Sequence, residues 1–130
     1  MNPASAGSID KALMDQILDG IPVGITIVDL EGRILYYNAY SARILQRKPE
    51  YIGRDIRLCH QKAESIAAVD RMLAAFKEGR GQRFGYETVR YGNRLSVSFL
   101  PLYAEGRVAA CLQSVLLQKP DDTSQPASTE

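Results

Sequence analysis

Runs of β-branched and aromatic residues cut by glycine turns alternate along this chain with stretches whose apolar positions recur every three or four residues. Gly24–Asp29 and Arg33–Tyr37 are of the first kind, and Leu30–Gly32 between them is a tight turn, so the pair is expected to close as an antiparallel hairpin. Asn38 follows at once and caps a short helix with Ala39, Ala42 and Leu45 on a small apolar face. Ahead of the hairpin, Ser8 starts a helix with Ile9, Leu13 and Ile17 in one stripe, ended by Gly20 before Pro22. Between Pro49 and Ile56 the pattern is short and broken by Gly53, which fits a single helical turn and a loop. A longer helix runs from about Ser65 to Lys77, with Ile66, Val69, Leu73 and Phe76 facing the sheet, and Gly79 and Gly81 stop it. Three further strands, Arg83–Tyr91, Arg94–Tyr103 and Arg107–Gln118, are joined by turns at Gly92–Asn93 and Glu105–Gly106. The chain thus divides into a flanking segment with a helix (1–20), one domain (21–118) and a tail (119–130) too poor in apolar residues to order.

Composition narrows the function classes. A length of 130 residues with 45% hydrophobic content supports one domain and one core. The 16 basic and 15 acidic residues are interleaved, which leaves no face for nucleic acid or anionic lipid. The N-terminus lacks a basic segment with an apolar core, and no apolar run approaches the roughly 20 residues of a membrane span, so a soluble cytoplasmic protein is expected. Cys59 and Cys111 stand far apart, as reduced thiols rather than a metal motif or disulfide scaffold.

The order of elements from Gly24 to about Leu117, with the D-x-x-G-R turn at Asp29–Arg33 and the asparagine at 38, resembles a PAS domain. The resemblance implies an α+β fold: a five-stranded antiparallel sheet with short helices and one longer helix over one face, plus an N-terminal flanking helix. It also implies a sensory module that holds a ligand or cofactor between sheet and helices and signals through dimerisation or a partner protein. Homodimerisation is expected through the N-terminal helix and the sheet; the helix stripe serves equally to close the domain's own core. The start methionine and polar tail fit a stand-alone protein. The flavin-adduct subgroup needs an N-C-R-F-L-Q type helix, which is absent between Asn38 and Gln61, and iron–sulfur sensors need more cysteines.

Within the domain, Arg57–Leu73 is similar to a segment of PAS domains that include carbon-monoxide-responsive haem regulators and PAS domains attached to hemerythrin-like proteins. That similarity implies His60 as an axial ligand of non-covalent haem b, in a cavity walled by Ile66, Val69, Leu73, Phe76, Phe84, Val97 and Phe99. The site is then five-coordinate or takes Cys59, Met72 or Cys111 as second ligand. Gln61 stands where a proline usually follows the histidine, the spacing from His60 to Ser65 is one residue longer, and no methionine lies between Arg94 and Tyr103. The other account of His60 is a partly exposed residue bonded to backbone. On the last strand Cys111 and Gln113 share a face; inward, Gln113 presents an amide to a ligand, and outward it sits on the sheet surface at a dimer contact. Tyr36, Tyr37, Tyr86, Tyr91 and Tyr103 are expected at the core boundary. An enzyme is not expected: Cys59 and His60 are neighbours whose side chains diverge, and no acidic pair has acid–base spacing. A ligand-free dimerisation or adaptor module is the alternative.

Overall fold

The computed structural model of the protein describes residues 8–59 and 63–118. Helix α1 (Lys11–Gly20) leads into strands β1 (Gly24–Val28) and β2 (Ile34–Tyr37), then helix α2 (Ala39–Leu45). Two 3-10 turns (Pro49–Tyr51 and Ile56–Cys59) connect to helix α3 (Ala63–Lys77), and β3 (Phe84–Arg90), β4 (Asn93–Ala104) and β5 (Arg107–Leu117) complete one sheet of order β2-β1-β5-β4-β3. Every pairing is antiparallel. This is the expected α+β architecture. The segments 1–7 and 119–130, including the expected disordered tail, lie outside the described residues.

Strand alternation sorts the sheet into two faces. Thr26, Val28, Leu95, Val97, Phe99, Cys111, Gln113 and Val115 point to the helix-covered side and are buried, whereas Ile25, Ile27, Leu100 and Leu112 are half-buried on the other. Ile44, Leu45, Ile56, Val69, Met72, Leu73 and Phe76 close the core from above. The hairpin turn is built by Asp29: its Oδ1 accepts from the backbone N–H of Glu31 (2.9 Å) and Arg33 (2.8 Å), and Gly32 takes φ +94°. Arg57 fastens that turn to α3. Its guanidinium donates to Asp55, to Asp70 and to the Glu31 carbonyl, and these bonds hold the Asp55 carboxyl below and the Arg57 guanidinium above their ordinary values.

Some local expectations fail. Asp10, not Ser8, caps α1, and the stripe Ile9, Leu13, Ile17 with Met14 stays 40–49% exposed, so α1 does not close the domain's core. The buried face of α2 is Ser41, Ile44 and Leu45 rather than Ala39, Ala42 and Leu45, because Thr26 beneath it gives the Ser41 hydroxyl a partner at 3.0 Å. Tyr91 and Tyr103 are exposed rather than at the core boundary, since one sits at a turn with φ +52° and the other near the end of β4. The turn before β4 is Tyr91–Gly92, one residue earlier than expected.

Candidate functional site

The small residues Ser65 and Ala68 at the start of α3 leave room against the edge strand β3. A cavity of about 290 Å³ opens there, lined by Glu64, Ser65, Ala68 and by Phe84 to Thr88. Phe84 and Tyr86 give it an aromatic wall, their ring centroids 6.0 Å apart, and Phe99 backs them in the core at 6.1 and 6.4 Å. Ser65, Tyr86 and Thr88 also border a smaller recess of about 20 Å³, which runs inward to Arg90, Leu95, Val97 and Gln113. That is space for about one water-sized group.

Behind the recess lies a buried polar cluster. Arg47 is 5% exposed; its Nε donates to Thr26 Oγ1 (3.1 Å) and its Nη2 to Gln113 Oε1 (3.0 Å). Thr26 and Gln113 are cross-strand neighbours on β1 and β5, so one planar guanidinium spans the two. Gln46, left-handed at φ 57°, ends α2 and turns the chain so that Arg47 points inward. Asn38, 1% exposed, links three elements: Oδ1 accepts from Ile25 N (2.9 Å) and Ser41 N (3.0 Å), and Nδ2 donates to Leu18 O (2.6 Å) and Val23 O (2.9 Å). Burial pushes the Tyr86 hydroxyl above its ordinary value, and the Arg90 and Arg47 charges act in the opposite direction.

The residues expected to form the site are divided. Gln113 and Val97 reach the recess and Phe84 the outer cavity, whereas Val69, Leu73, Phe76, Phe99 and Cys111 fill the core and Ile66 is half-buried beside it. The two faces left open for β5 resolve with Cys111 and Gln113 inward. His60 lies outside the described residues, and Cys59 ends the second 3-10 turn. Met72 and Cys111 pack against each other, sulfur to sulfur at 3.9 Å, and desolvation lifts the Cys111 thiol to about 12, which disfavours the thiolate a metal needs. Val69, Leu73, Phe76 and Phe99, expected as cavity walls, pack together in the core, and the cavity at the edge strand is at the small end for organic ligands. Among the described residues no three His, Cys, Asp or Glu side chains group as metal ligands. Arg47, Ser65, Thr88 and Arg90 are site residues that the sequence pattern did not reveal; a charge beside Lys48 reads as solvated, and only the left-handed turn at Gln46 signals otherwise. No described helix is long and apolar enough to cross a membrane.

The fold is shared with solved structures at low identity. A C-terminal domain from Streptococcus mutans is 20% identical with a TM-score of 0.71, over 90% of this chain and 91% of that one. The PAS domain of a Colwellia psychrerythraea protein is 16% identical at TM-score 0.66, covering 82% and 95%. The PAS domain of BvgS from Bordetella pertussis is 16% identical at TM-score 0.64, covering 83% and 85%. No curated protein matches the sequence. Residues 14–112 match the family described as PAS domain, so the chain belongs to that family, whose members are typically sensory parts of signalling proteins rather than catalysts.

Proposed function

We propose that this chain is a sensory PAS module in which a small molecule occupies the cavity between α3 and β3 and alters association of the chain with a second copy. The observation that carries this reading is the cavity of about 290 Å³ and the polar recess it leads into, at the place where the two small residues Ser65 and Ala68 face the edge strand. Native mass spectrometry of protein isolated from its source cells tests it. A small molecule that is lost on denaturation, and that raises the melting temperature when added back, is the expected result. Protein without bound mass that no metabolite stabilises would overturn the reading, and a Soret band in its absorption spectrum would identify haem as the cofactor.

A ligand-independent dimerisation module is the second reading, favoured by the exposed Leu13, Met14 and Ile17 of α1 and the half-buried apolar outer face of the sheet. Both readings expect a dimer through these surfaces. Deleting residues 1–20 would also remove the Leu18 acceptor of Asn38, so Leu13→Lys with Ile17→Lys is the cleaner perturbation. Light scattering should give a dimer for wild type and a monomer for the variant; a monomeric wild type at high concentration rejects this interface.

A further inference from the structure

The recess has a definite polarity. A guanidinium only donates, so Arg47 fixes the Gln113 amide with Oε1 toward itself. The two N–H groups of Nε2 are then the remaining face of a side chain that is 3% exposed, and among the described residues they have no hydrogen-bond partner. A buried amide left in this way costs free energy until an acceptor arrives. Ser65, Tyr86 and Thr88 line the same recess, and each carries a hydroxyl that can turn to donate. Arg90 forms part of its wall and Arg47 stands behind it, and the influence of both on the Tyr86 hydroxyl places their positive charge at this point. The outer cavity has the opposite character: Ala68 and the rings of Phe84 and Tyr86 offer a flat apolar surface, and the exposed Glu64 carries negative charge on its α3 side, whereas the Glu87 carboxylate lies on the other face of the sheet and accepts from Gln118 Nε2.

We infer that the recess takes the carboxylate of a small monocarboxylic acid, accepted by the Gln113 amide and the neighbouring hydroxyls, with the flat apolar body of the ligand against Phe84 and Tyr86. The exposed Glu64 favours this orientation, because a carboxylate in the outer cavity would face its negative charge. The recess, of about one water in size, admits one oxygen of the carboxylate with the other at its opening, and the outer cavity suits a body of single-ring size. This inference rests on the cavity being the ligand site, and names the ligand class.

Phenylacetate, its neutral analogue phenylacetamide and the cation phenethylamine, titrated into the full chain under amide NMR, provide the test. Phenylacetate should saturate with shifts at Ser65, Tyr86, Thr88 and Gln113, and should bind at least about tenfold more tightly than the other two, as a charge-assisted set of donors requires. Gln113→Glu keeps an acceptor for Arg47 while replacing the donor amide with carboxylate oxygen, and should weaken phenylacetate by more than about tenfold. Tyr86→Phe, a milder change on the edge strand, should weaken it about threefold, and decides the matter if Gln113→Glu does not fold. Equal or tighter binding of phenylacetamide or phenethylamine in the same cavity overturns the carboxylate assignment and leaves the cavity as the ligand site. Shifts from none of the three overturn the carboxylate inference, and when no metabolite stabilises the protein either, the reading of the cavity falls with it.

Discussion

Asparagine and aspartate cap helices about equally well, so Asn38→Asp would be nearly silent if capping α2 were the residue's whole contribution. The structure expects a large effect. The two bonds that Asn38 Oδ1 accepts, from Ile25 N and Ser41 N, survive in a carboxylate. The two that Nδ2 donates do not: Leu18 O at 2.6 Å and Val23 O at 2.9 Å would face a second oxygen carrying charge, at a position 1% exposed. Losing two bonds costs about 2 kcal/mol, and the orphaned carbonyls and desolvated charge add roughly 1–3 more. A loss of about 3–5 kcal/mol is a large share of the ~5–15 kcal/mol of an ordinary domain, and should lower the melting temperature by roughly 10–20 °C. Urea unfolding followed by circular dichroism measures it. Asp10→Asn provides the control, because Asp10 caps α1 through Leu13 N at 2.8 Å but is exposed, and should change stability by less than about 0.5 kcal/mol. Because burial disfavours the charged form, the introduced carboxyl takes up a proton above the ordinary aspartate value and regains one donor, so the deficit of Asn38→Asp should shrink as pH falls from 7 towards about 4 and level off below it. A deficit under about 1 kcal/mol at pH 7 would refute the argument that the donated pair ties α1 and β1 to α2.

Three other perturbations probe separate features. Burial raises the Cys111 thiol from 9.0 to about 12, so the neutral thiol stabilises fully below pH 9 and that stability is lost at about 1.4 kcal/mol per pH unit above it; wild type should lose this much more than Cys111→Ala between pH 9 and 10.5, and equal slopes would show that the thiol titrates normally. Asp55 is held low by Arg57, so its contribution is present above the ordinary carboxylate range and lost as pH falls through the depressed value; the stability gap between wild type and Arg57→Gln should be full at pH 6 and close in acid, and a pH-independent gap would assign it to packing. Gly32→Ala should destabilise by about 1–3 kcal/mol in thermal unfolding, since φ is +94° and the new Cβ would stand 3.0 Å from Arg57 Nη2; an unchanged melting curve would mean that the turn relaxes freely.

What the sequence made legible was local. The hairpin turn at Asp29–Gly32, the cap at Asn38 and the stops after α3 depend on side chains bonding their own neighbourhood, and their residue types announce it. The site depends on distant pairings. Whether Gln113 faces in was open until the register Thr26↔Gln113 set β5 against β1, and Arg47 became a core residue only through that pair. On the hydrophobic stripe of α3, Val69, Leu73 and Phe76 are buried in the core. Space opens instead at the small Ser65 and Ala68, whose importance comes from what stands opposite them.

The wall of the cavity is the outermost strand of the sheet. β3 is hydrogen-bonded to β4 alone, through Phe84↔Phe99 to Arg90↔Asn93, and borders the cavity along its length. Its resistance to being pushed aside therefore comes from a single seam, whereas β1 and β5, which hold the Arg47 cluster, are braced on both sides. The domain is thus compliant at the outer cavity, where the proposed ligand would enter, and stiff at the recess. A ligand that fills the outer cavity does its mechanical work on β3 and leaves the reference frame of the recess in place.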